Sequence, residues 1–170
     1  MFKLKSVMAG SLFAISAVAA TSAFASSYTP APSTNIVTGS SILWAEAYVL
    51  FCKASFTVNI DGSGVGSITA ASFSGGGACN AIVASNLPWP IAPPQGAGMA
   101  GVYTGAVTGV QVHLPSIGFT CTQQSTDTVT ITLNTNASPH TASFSGTLHE
   151  GVIACGVRGG PYSTSIGVSP

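Results

Sequence analysis

Apolar and polar residues alternate with a period of two along much of this 170-residue chain. That period belongs to extended strands with one face toward a core and the other toward water. In "SFTVNID", Phe56, Val58 and Ile60 alternate with Thr57, Asn59 and Asp61; in "DTVTITLNTN", Val129, Ile131 and Leu133 alternate with threonines and Asn134. "TASFSGTL" and "VQVHL" repeat the pattern. Gly- and Asn-rich clusters such as "DGSGVG" and "NTNASP" separate the runs, as hairpin connections require. The segment "SILWAEAYVLF" is apolar at almost every position and would also suit a short buried helix. It is read as one strand because it runs into the alternating Cys52 segment with no cap or breaker between them. Many short strands with frequent turn signals predict an all-β fold, a single antiparallel β-sandwich of immunoglobulin-like or related type.

The first residues break this pattern. Lys3 and Lys5 precede an apolar stretch from Val7 to Ala20, and Ala23-Phe24-Ala25 offers a small-x-small cleavage site. Residues 1–25 are therefore expected to be a secretory signal peptide, leaving residues 26–170 as one β-sandwich domain, secreted to the exterior or cell surface or retained in the periplasm. No further apolar run is long enough to stop transfer, so no transmembrane segment is expected in the mature chain. Residues 26–170 hold only Lys53 and Arg158 as basic residues, against Glu46, Asp61, Asp127 and Glu150, a formal net charge of −2. Nucleic acid binding needs several neutralised phosphates and is excluded as a function class. Solubility must come from hydroxyls and amides, a surface mild toward interfaces and toward other copies of itself.

Two stretches resemble one another. Each has a Cys, an alternating strand, a turn, the tetrapeptide SFSG and a closing Cys, from Cys52 to Cys79 and from Cys121 to Cys155. Four cysteines in an exported chain permit three connectivities. A duplicated hairpin unit favours pairing Cys52 with Cys79 and Cys121 with Cys155. Exported thiols oxidise and none stands in a CxxC pair, so a structural role outweighs a catalytic or metal one.

The order of these features resembles a known family. A first Cys ending an apolar strand, "GAC" followed by "NLPW" within "CNAIVASNLPW", a third Cys in "IGFTC" and a late fourth Cys are similar to the secreted activators of alkane oxidation, the Pra proteins. The resemblance implies a small extracellular accessory protein that helps bacteria use long-chain alkanes in concert with surfactant, without catalysing the oxidation. The chain departs from that pattern in the proline-rich "PIAPPQGAGMAG" and in "TLHEGVIACGVRGG".

Trp89 lies between Pro88 and Pro90, which fix their own φ and bias Leu87 and Trp89 toward extended geometry. Two roles compete for it. Trp89 is either a core plug over a disulfide or between sheets, the more common fate of a large aromatic beside a bridge, or an exposed anchor. In the second case Leu87, Trp89 and Ile91 form the apolar tip of a contact loop over residues 88–94.

Reactive groups are few. His113 falls on the polar side of its strand, His140 follows Pro139 in a turn, and "HE" at 149 and 150 is the one adjacent pair of metal-ligand types. No HxH, HExxH or GxSxG spacing occurs, so the histidines are read as surface residues, with no catalytic residue, metal or cofactor expected. The glycines of "DGSGVGS" belong to a hairpin turn, and the sequon at 136–138 sits in a chain with a leader of bacterial appearance. The leading expectation is a non-enzymatic accessory protein acting at a hydrophobic interface or with surfactant. The alternative is a subunit of a fimbria or biofilm matrix that self-associates through an edge strand.

Overall fold

The structure, a computed structural model, describes residues 26–96 and 101–169. The proposed signal peptide lies outside the described residues. Strands β1 (Ser27–Thr29), β2 (Ser33–Ala45), β3 (Tyr48–Ile60) and β4 (Gly66–Ser74) come first, followed by one helical turn, α1 (Gly77–Asn80). Next are β5 (Val83–Ser85), β6 (Trp89–Ile91), β7 (Gln95–Gly96), β8 (Val102–Val107), β9 (Gln111–Leu114) and β10 (Phe119–Thr122). The chain ends with β11 (Val129–Asn134), β12 (His140–Glu150), β13 (Ile153–Thr164) and β14 (Gly167–Ser169).

Eight strands close on themselves in the order β2-β3-β4-β6-β8-β11-β12-β13, and β13 pairs back onto β2. Each is antiparallel to the next, which makes an up-and-down barrel rather than the expected sandwich. Alternation predicts a half-buried strand in either architecture. Closure rests on pairing between the chain's two ends, Arg158 with Ile42 and Val157 with Leu43, which no local pattern encodes. The run read as one strand is likewise two, since Glu46 and Ala47 form a tight turn between β2 and β3, with Glu46 at φ 51°.

The barrel has two unlike ends. The β3–β4 and β11–β12 connections and the β1–β14 ribbon lie at one, where Tyr28 of β1 turns inward and is buried. At the other, β10, β9 and β5 extend from β12 as a flap, and both disulfides sit there. Cys52 is bonded to Cys79, fastening α1 to β3, and Cys121 to Cys155, fastening the flap to β13.

The two SFSG hairpins, β3-β4 and β11-β12, stand opposite each other in the ring, four strands apart. Their phenylalanines converge on Phe56. Phe73 lies 6.2 Å and Phe144 5.0 Å from it, both edge-on, and Tyr162 stacks on Phe144 at 5.7 Å. Edge-on and stacked pairs each add roughly 0.5–1.5 kcal/mol beyond area burial. The halves are not equivalent throughout, however. Cys52 lies within the first hairpin itself, whereas Cys121 lies on β10, before the second. Glycine admits Tyr162: a Cβ on Gly39 would stand 2.3 Å from its ring.

Candidate functional surface

Inward positions of the barrel are apolar, as on β3, where Cys52, Ala54, Phe56, Val58 and Ile60 are all buried. They leave a cavity of about 80 Å³ among residues that include Val37, Phe56, Ile68, Trp89, Val129 and Tyr162. Such a space is too small for a long hydrocarbon chain, since an engineered apolar cavity of about 150 Å³ takes one benzene. Outward positions of β3 run Lys53, Ser55, Thr57 and Asn59, a polarity opposite to that of barrels that span outer membranes with an apolar exterior and polar lumen. Among the described residues no helix is long and apolar enough to cross a membrane.

Of the two roles open to Trp89 the core plug is the one formed, and the alternative contact tip is absent: Trp89 and Ile91 are buried in the barrel wall, 3% and 4% exposed, and Leu87 packs partly buried against the core. The cause is register: Trp89 pairs with Ile68 and Ile91 with Gly66, which turns both side chains inward and leaves Pro88 and Pro90 outside. The indole N–H of Trp89 donates to the Ser85 carbonyl at 2.9 Å, so the one polar atom of this plug is satisfied.

The densest exposed apolar surface lies elsewhere, on the outer wall of β13, β2, β3 and β4 near the disulfide end, with Ile36, Val65 and Val83 exposed singly at other places. In the first row Gly156, Trp44 and Val49 are neighbours; in the second, Arg158, Ile42 and Phe51. Phe51 is 73% and Val49 51% exposed. Trp44 lies flat because its partner is glycine: a Cβ on Gly156 would fall 1.7 Å from the indole. At the rim, Tyr48 and Val152 add exposed apolar surface on adjoining hairpins. Further along the wall the character changes. Ser40, Lys53 and Ser74 form the next row, then Thr38, Ser55 and Ser72, around an open groove of about 380 Å³. The clue in the sequence was the apolar run itself, because a strand buried on one face has no packing need for apolar residues on both.

The histidines are half-buried rather than surface residues, and each has a partner. His113 Nδ1 lies 2.8 Å from the Thr120 hydroxyl, and His140 Nδ1 donates to the Ile166 carbonyl at 2.9 Å. His149 Nδ1 is 2.8 Å from Asp127. Partial burial works against the Asp127 carboxylate, but the hydrogen bonds from His149 and the Gln124 backbone outweigh it and hold its pKa below the usual value. Glu150 accepts from the Thr120 backbone N–H at 3.0 Å. Among the described residues no three His, Cys, Asp or Glu side chains gather as a metal set.

These features define a disulfide-braced up-and-down barrel whose outer wall sets exposed apolar side chains beside hydroxyl-bearing ones. The chain belongs to the alkane oxidation protein activator PraA/PraB-like family, whose model matches residues 1–170. No curated protein and no solved structure matches it.

Proposed function

We propose that this protein is a secreted, non-enzymatic accessory factor that assists alkane use by adsorbing at the boundary between hydrocarbon and water. The outward patch of exposed Val49 and Phe51, with half-buried Trp44 and Ile42 beside them, is the observation that carries this reading. Adsorption gains roughly 25 cal/mol for each Å² of apolar surface removed from water and is opposed by desolvation of charge. Among the described residues, the one acidic residue near those four side chains is Glu46, in the exposed turn at the rim between β2 and β3. The two disulfides favour adsorption without unfolding, because they hold the flap and α1 to the barrel. Export through a leader at residues 1–25 agrees with disulfide formation. The family's description as an activator agrees with a role that leaves the oxidation to another protein.

Tensiometry at a hexadecane-water boundary tests the reading. The oxidised protein, lacking residues 1–25, is expected to lower interfacial tension at micromolar concentration and to consume no alkane. Replacing Val49 and Phe51 together by Ser should remove most of that effect with little loss of stability, since both side chains face solvent. Wild-type protein that leaves the tension unchanged would refute the interfacial mechanism.

A further inference from the structure

We infer that the outer wall of β13, β2, β3 and β4 is a binding site for a single anionic amphiphile, with its head in the hydroxyl-lined groove and its apolar chain along Ile42 and Phe51. The inference rests on the interfacial reading for its use of this wall and adds a ligand to it. Lys53 and Arg158 are the two basic residues of segment 26–170, and the fold places both on this wall. Arg158 pairs with Ile42, which pairs with Phe51, and Lys53 follows two residues along β3 on the same outward side. Both cations are exposed and neither forms an ion pair among the described residues. Of the acids, Glu46 lies in the β2–β3 turn at the rim of this wall, beyond the Trp44 row from the groove, Asp61 lies in the turn between β3 and β4, Asp127 against His149, and Glu150 on the Thr120 backbone.

A free cation beside apolar surface selects a ligand with the same two parts in the same order. The groove of about 380 Å³ gives the head room beside Lys53, with Ser40, Ser55, Ser72 and Ser74 as hydroxyl donors and acceptors. Charge-assisted hydrogen bonds from Lys and Arg to a carboxylate are the stronger kind, while the chain covers Phe51 and Ile42. A neutral amphiphile forgoes the first contribution, and a cationic one meets repulsion.

Calorimetric titration without any oil phase tests the site, with sodium decanoate below its micelle-forming concentration and decyl maltoside and decyltrimethylammonium as controls. Decanoate is expected to saturate at one molecule per protein and to bind at least ten-fold tighter than either control. The double variant K53Q/R158Q should lose ten-fold or more for decanoate and nothing for decyl maltoside, with an unchanged circular dichroism spectrum. Absence of decanoate binding, equal affinity for decanoate and maltoside, or an unaffected double variant each overturns the site. Binding only to anionic vesicles would assign the wall to a membrane surface and would likewise overturn it. Tension lowered by protein alone with no decanoate binding removes this inference and leaves the interfacial reading standing; the reverse pattern removes that reading and leaves the site.

Discussion

Trp44 faces outward from β2 and Trp89 faces inward from β6. Trp89 closes over the interior beside Ile68, with its N–H satisfied, whereas Trp44 lies against Gly156 with part of its ring in water. The two tryptophans of the chain should therefore report separately. In a Trp44→Phe background, Trp89 emission is expected to be blue-shifted and resistant to acrylamide. In a Trp89→Phe background, Trp44 should be red-shifted and readily quenched. Trp89→Ala should cost about 3–5 kcal/mol, the range for removing a large aromatic from a core, as read from a urea midpoint. Alternation identified Phe56, Val58 and Ile60 as core residues. It could not orient Trp89, because β6 is only three residues long and takes its facing from its pairing with β4.

At the scale of elements, each disulfide has a separate task. The bond between Cys121 and Cys155 ties the flap to β13, where β10 pairs with β12 at a single position, Thr122 with His149. The bond between Cys52 and Cys79 holds α1 against a β3 already paired with β2 along its length. Closing loops of these lengths contributes about 3.5 kcal/mol each in the chain-entropy model. Replacing Cys121 and Cys155 by Ser should thus release the flap before the barrel. Amide exchange is expected to quicken across β9 and β10 while β2 and β3 stay protected, and uniform loss of protection would contradict the assignment. The matched Cys-to-SFSG spacing marked the hairpins, which do stand opposite each other in the ring. Equivalent disulfide positions did not follow, since one bridge begins inside its hairpin and the other before it.

Closure governs the molecule as a whole. A barrel removes most of the edges through which strands add to one another, and the flap ends on β5, a strand of three residues. This leaves little template for the fimbrial alternative. Closure also makes the ribbon end a place where burial sets pH behaviour. Tyr28 donates its hydroxyl to the Ala92 carbonyl at 3.1 Å, and burial pushes its pKa from 10.0 up to about 12. Burial pushes the Tyr162 phenol upward as well. An acid with a raised folded pKa stays protonated in the native state after the unfolded chain has lost its proton. Its contribution is complete below pH 10 and is lost as pH climbs through 12. Urea midpoints should fall between pH 9.5 and 11.5, by less in Tyr28→Phe than in the wild type. A midpoint flat across that range would argue against a buried phenol at the ribbon end.

The sequence by itself determined the strands with one apolar face, the turns at Gly- and Asn-rich clusters, the scarcity of charge and the kinship with alkane oxidation activators. These are local or compositional properties, present in any conformation of the chain. Tertiary structure alone decided that the strands close into a barrel, that Trp89 and Ile91 face inward, and that Lys53 and Arg158 share a wall with Phe51. Each depends on which distant strand lies alongside and in what register. A one-residue shift in that register turns every side chain to the opposite face, and the periodicity of a single strand is the same before and after it.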